Sequence, residues 1–197
     1  MSVYLKNVLA ASVVGLLANS AMAADGTINF TGEISAASCS ATAGAGTSIA
    51  GEKGKQNINV SLGKISMDSL TGAAGGNIVG GSAINVNLDC GNTAAGLTTV
   101  RVQFDPMSGS GVDLKNNKLL KTTGTAKGVG IGIYNSSNEA INLAANEFVN
   151  APLVKVGEAE ATKYSANLNM RAAYVANGDP ITPGTANGTL PFTLTYE

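Results

Sequence analysis

The chain has 197 residues, with no histidine, no tryptophan, only two cysteines and few aromatics (5%). Without histidine, neither a Ser-His-Asp triad nor a Cys-His pair can be assembled. Two thiolates alone rarely hold zinc, so no metal and no cofactor are expected. The lack of tryptophan and scarcity of tyrosine argue against the ring platforms on which sugars stack. Positive charge is also sparse: 12 Lys and Arg stand against 13 Asp and Glu, for a formal net charge of -1. The cations are scattered, which leaves no basic face for nucleic acid and no polybasic cluster for lipid.

Long apolar runs are missing too, apart from a short one near the start. Lys6 precedes an apolar run from Val8 to Leu17, and small residues follow, ending in Ala21-Met22-Ala23. That is the pattern of a secretory signal peptide, too short to span a bilayer, which needs about 20 residues. Residues 1–23 are therefore expected to be removed, with Ala24 as the first mature residue. The remainder, about 174 residues, is enough for one domain with its own core and no stable membrane insertion.

Both cysteines, Cys39 and Cys90, lie in the mature part. Export favours a disulfide, and a bond between them would close a loop of about 50 residues, contributing roughly 4 kcal/mol. Two free buried thiols are the alternative.

What the chain has in abundance is Gly, Ala, Ser, Thr and Asn around short alternating runs. That spacing predicts an all-β sandwich or barrel. Strands are expected at Thr27–Thr31 with Glu33–Ser35, Asn57–Leu62, Ala83–Cys90, Thr98–Phe104 and Gly128–Asn135. Gly44–Gly54 and Gly72–Gly81 read as loops, and 105–127 as loop with a short strand near Leu119. From Tyr164, one face collects Tyr164, Ala166, Leu168, Met170, Ala172 and Tyr174, which predicts a strand with one wet side. In the terminal run Thr189–Glu197, Leu190, Phe192, Leu194 and Tyr196 alternate with Pro191, Thr193 and Thr195.

Motifs that suggest chemistry fail on context. Ser61-Leu62-Gly63-Lys64 has S-x-x-K spacing, yet it closes a strand and lacks partner motifs. The glycines of Gly128-Val129-Gly130-Ile131-Gly132 are misplaced for a dinucleotide fingerprint and instead mark close backbone approach or a bulge. Glu158 and Glu160 sit in a polar loop and read as solvated surface. Leu190-Pro191-Phe192-Thr193 begins a sortase signal, but Leu194 stands where glycine is required. No enzyme activity is expected.

Two ends remain unexplained by a self-contained sandwich: an alternating apolar segment just after the cleavage site, and the apolar terminal strand. Such segments can cover their own sheet, or complement each other between chains by strand addition. The specific sequence Gly26-Thr27-Ile28-Asn29-Phe30-Thr31-Gly32-Glu33-Ile34 is followed by Cys39. The penultimate residue is the aromatic Tyr196, and Gly184 stands fourteenth from the C-terminus. Taken together, these residues resemble the major-subunit family of chaperone–usher, type 1-like fimbriae, over essentially the whole mature chain.

The resemblance implies an incomplete immunoglobulin-like β-sandwich completed by a donor strand from a neighbouring subunit. Residues 24–31 would be the N-terminal donor extension and 32–197 the pilin domain. Gly26, Ile28 and Phe30 would enter a neighbour's groove. Gly184, Leu190, Phe192, Leu194 and Tyr196 would form the acceptor groove and the chaperone-recognition motif, and Cys39 and Cys90 the family disulfide. Partners would be other copies of the chain, a periplasmic chaperone and an outer-membrane usher, and the destination a surface fimbrium used in adhesion. The alternative within that system is a minor or adaptor pilin, or a single-domain carbohydrate-binding adhesin. Two departures follow. The extension before Gly26 is only Ala24-Asp25, and Pro191 is expected to shorten the usable acceptor strand by removing a ladder donor.

Overall fold

The computed structural model describes residues 39–52, 56–71, 81–158 and 161–197. The expected signal peptide, the donor extension with Gly26, Ile28 and Phe30, and the strand expected at 33–35 lie outside these residues.

The described strands are β1 (Ser40–Ala43), β2 (Thr47–Ala50), β3 (Asn57–Val60), β4 (Ser82–Asp89), β5 (Thr99–Phe104) and β6 (Leu120–Lys121). They continue with β7 (Val129–Tyr134), β8 (Phe148–Pro152), β9 (Val154–Val156), β10 (Lys163–Ala176) and β11 (Phe192–Tyr196). A short helix, α1 (Met67–Thr71), packs on β10. The larger sheet runs β1-β4-β10-β7-β6, with β9 also paired to β10; a second sheet runs β11-β5-β8, and β2 pairs with β3. All these pairings are antiparallel.

Period-two patterning explains the central strands. Ile84, Val86 and Leu88 of β4 face Val100, Val102 and Phe104 of β5 across a core that also takes Ile131 and Ile133 from β7. Ala166, Leu168, Met170 and Ala172 of β10 join it, while Asn167 and Asn169 between them are exposed. Each large side chain fully buried here contributes about 1.5–3 kcal/mol. The alternating glycines of β7 are sites of close approach. A Cβ on Gly130 would lie 2.8 Å from the Leu119 Cβ, and one on Gly132 the same distance from the Tyr134 hydroxyl.

The segment read as a glycine-rich loop after Cys39 instead carries β1 and β2. Ser40–Ala43 has no large apolar residue to announce a strand; its pairing with β4, Ser40↔Asp89 to Ala43↔Val86, makes it one. Gly46, at φ +82°, turns the chain so tightly that a Cβ would meet the Ala83 carbonyl. β8 and β9 also went unread, because apolar residues occupy both faces of Phe148–Val156 and no single period stands out.

The disulfide joins Cys39 to Cys90, the residues just beyond the Ser40↔Asp89 pair, and so staples one end of the β1–β4 ladder. The long connection from β10 to β11 is tied down along 113–127. Thr123 and Asn187 exchange backbone hydrogen bonds, as do Lys127 and Thr182. The Tyr174 hydroxyl donates to the Ala186 carbonyl (2.6 Å), and the Asn177 amide donates to buried Asp113 (2.8 Å).

Candidate functional site

β11 is an edge strand. One side pairs with β5 in the register Phe192↔Phe104 to Tyr196↔Val100; among the described residues no strand pairs with the other side. Which backbone groups face that open side follows from hydrogen-bond parity. Glu197 and Thr99 exchange N–H···O bonds, and the Asp105 N–H donates to the Pro191 carbonyl. In an antiparallel ladder the direction alternates residue by residue. Odd-numbered residues 191–197 therefore turn their backbone to β5, and Phe192, Leu194 and Tyr196 turn theirs to the open edge.

The same even-numbered residues point their side chains inward. Leu190, Phe192, Leu194 and Tyr196 are half-buried and pack against the core cluster. Free backbone groups and incompletely covered apolar side chains thus coincide on the same residues. This corrects the expectation for Pro191. Its missing N–H lies on the β5 side, where its carbonyl already serves Asp105, so the open edge loses no donor to it.

Both ends of the strand are anchored. At the start, Ser110 N–H donates to the Thr189 carbonyl (2.9 Å), and Gly109 lies so close that a Cβ would meet Thr189 and Pro191. Asp105 accepts hydrogen bonds from the Ser108 hydroxyl and backbone, which hold its exposed carboxyl below the usual range. At the far end, the Tyr196 hydroxyl accepts from the Cys39 N–H (3.2 Å), linking the terminal strand to the disulfide of the other sheet. On the outer face Arg101 pairs with Glu197 (2.9 Å) and lies 4.6 Å from the centre of the Phe148 ring, crossing all three strands. Such exposed contacts contribute about 1 kcal/mol or less apiece.

Gly184 does not join this edge. It sits in the β10–β11 connection against Thr125 and Ala126, where a Cβ would lie 2.5 Å from the Ala126 nitrogen. Its small size serves that close approach. Among the described residues no cluster of three His, Cys, Asp or Glu side chains could hold a metal ion, and Glu158 is exposed. Sequence reading named the apolar residues of the edge but missed its rim, Gly109 and Ser110, because turn residues carry no periodic signal.

Comparison with known proteins agrees with this architecture. The family model described as "Fimbrial protein" matches residues 28–197. The chain belongs to the fimbrial protein family. The type-1 fimbrial protein subunit of Serratia marcescens is 30% identical over 96% of both chains. Long polar fimbria protein A of Salmonella typhimurium is 32% identical over 98% of this chain and 97% of that one. An F17c-G fimbrial adhesin of Escherichia coli shares 30% identity across 71% of this chain but only 39% of its own length. The crystal structure of the P pilus rod subunit PapA has the same fold: TM-score 0.52, 21% identity, 87% of this chain and 100% of that one. The protein is thus a fimbrial subunit of the chaperone–usher type with an immunoglobulin-like all-β fold, and the Cys39–Cys90 disulfide is present in it.

Proposed function

We propose that this fimbrial subunit is a repeating shaft component that polymerises head to tail, each copy accepting a neighbour's N-terminal segment along β11. One observation carries the reading: the residues whose backbone faces the open edge, Phe192, Leu194 and Tyr196, are also the half-buried apolar ones. An added strand would pair the backbone and cover the core in one step. Burying three apolar donor side chains stabilises such a junction by several kcal/mol, at roughly 1.5–3 for each large one. Each new backbone hydrogen bond adds about 1 kcal/mol net.

The donor in this reading is 24–31, with Gly26, Ile28 and Phe30 toward the groove. Donor and acceptor occupy different places on one chain, so the contact is heterologous and grows into an open filament. A periplasmic chaperone holds the edge until an outer-membrane usher exchanges it for the donor. Gly184 acts by letting the connection before β11 lie close against Thr125 and Ala126. The route starts with signal-peptide removal after Ala23 and ends in a surface fimbrium.

Near-complete coverage of fimbrial subunits, against 39% of the F17c-G adhesin, favours a shaft role over an adhesin role. Shearing producing cells and analysing the released material tests it. Long filaments made chiefly of this chain are expected; filaments in which it is a trace component would make it a minor or adaptor pilin.

A further inference from the structure

The second free edge of the small sheet lies on β8, two strands from β11. Leu153 N–H donates to the Thr98 carbonyl, so by the same parity Asn150 and Pro152 turn their backbone away from β5. β8 packs beside β10 there. On that side β10 pairs with β9 through Ser165 and with β7 from Arg171 onward, leaving the stretch between without a strand among the described residues. The Tyr164 N–H donates to Gly91 and its carbonyl accepts from Cys90 on the β4 side, so Asn167 and Asn169 direct their backbone into this gap.

The result is a cleft of about 280 Å³, lined by Ser136, Asn150, Asn167 and Asn169 over Val149 and Leu168, among other residues, with no charged side chain in the lining. Ser136 and the three asparagines are exposed, while Leu168 and Ala151 are buried beneath. An adjoining depression differs: there the Asn135 amide is consumed by Glu139 and Ser137.

We infer that this cleft binds a neutral sugar ring. A carboxamide donates from one atom and accepts at another, as a hydroxyl does from one, so three amides and a serine match a polyhydroxylated ligand of no charge. The apolar floor suits the C–H face of a pyranose, and the volume lies near the lower end for small-ligand pockets, about 300 Å³. An extended peptide is the poorer occupant. Pro152 has no N–H to offer on its free edge, and the open stretch of β10 presents the backbone of only Asn167 and Asn169, too short for a ladder. The inference is independent of strand exchange at β11. In a filament the cleft would repeat on every copy, so weak sites would act together.

Saturation-transfer NMR on the protein purified from producing cells tests this, with methyl glucoside, methyl galactoside and methyl mannoside as probes. Methyl glucuronide and an uncharged extended hexapeptide serve as comparisons. Transfer to at least one neutral glycoside is expected, falling about tenfold in Asn167→Ala/Asn169→Ala and unchanged in Asn57→Ala, whose side chain is exposed on β3. The double variant alters exposed positions; an unchanged melting temperature and intact disulfide would show that it is folded. No transfer to any neutral glycoside, transfer that survives the double variant, or equal transfer to the glucuronide would overturn the inference. Transfer confined to the hexapeptide would replace the sugar with a strand.

Discussion

The two free edges of the β11-β5-β8 sheet differ in what their outward-facing residues do with their side chains. On β11, Phe192, Leu194 and Tyr196 present both an open backbone and inward apolar groups. On β8, Phe148, Asn150 and Pro152 turn their backbone outward while their side chains are exposed, and inward Val149 and Ala151 belong to residues already paired with β5. Adding a strand to β8 would cover little core, and Pro152 interrupts it. Two prolines mark the contrast, since Pro191 lacks its donor on the paired side and Pro152 on the free side. One edge is built to receive a strand and the other to refuse one, as sheets commonly arrange to limit aggregation.

The largest expected effect comes from placing a charge in each edge's path. Ile28→Asp in the donor, or Leu194→Asp in the acceptor, would bury an unpaired charge at a penalty of several kcal/mol, comparable to what the junction gains. Electron microscopy of sheared cells should show no filaments for either. Asn29→Asp and Asn150→Asp, on the wet face of the donor and on β8, should polymerise almost normally. Ile28→Asp should still be recovered with the periplasmic chaperone; abundant filaments from it would remove 24–31 as the donor.

Next in size is the staple between the sheets. Replacing Cys39 and Cys90 by Ala should lower stability by about 4 kcal/mol, from a bond spanning 51 residues. It should also loosen the Tyr196 end of β11, read as faster amide exchange at Glu197 than at Phe104. A smaller loss, about 2 kcal/mol in urea unfolding, is expected for Leu194→Ala, because the side chain is only half-buried. Pro152→Val should barely change stability but should promote lateral association by light scattering, whereas Pro191→Val should not.

The smallest effect concerns the connection that leads into β11. Burial raises the Tyr174 hydroxyl above its ordinary value of 10.0. A group whose folded value is raised contributes stability that is full below its unfolded value and lost as pH rises through the folded one. Stability should therefore fall at alkaline pH, above about 10, and Tyr174→Phe should flatten part of that decline. At neutral pH the variant should lose about 1 kcal/mol with the hydrogen bond to Ala186.

The sequence by itself determined the all-β class, the central strands β4, β5, β7, β10 and β11, and the apolar face of the terminal strand. Each was legible because one face of a strand must meet the core, and period two writes that requirement into Ile84-Val86-Leu88 or Leu190-Phe192-Leu194-Tyr196. β1 was not legible, because Ser40–Ala43 owes its strand to β4 and the disulfide rather than to its own side chains. The placement of Gly184 against Thr125 could not be read either, since the contact joins residues far apart in the chain. Only the tertiary structure decided which edge stands open to a strand. Side-chain alternation states which face is apolar, but which way each N–H points depends on the register with β5, and that register is a long-range property.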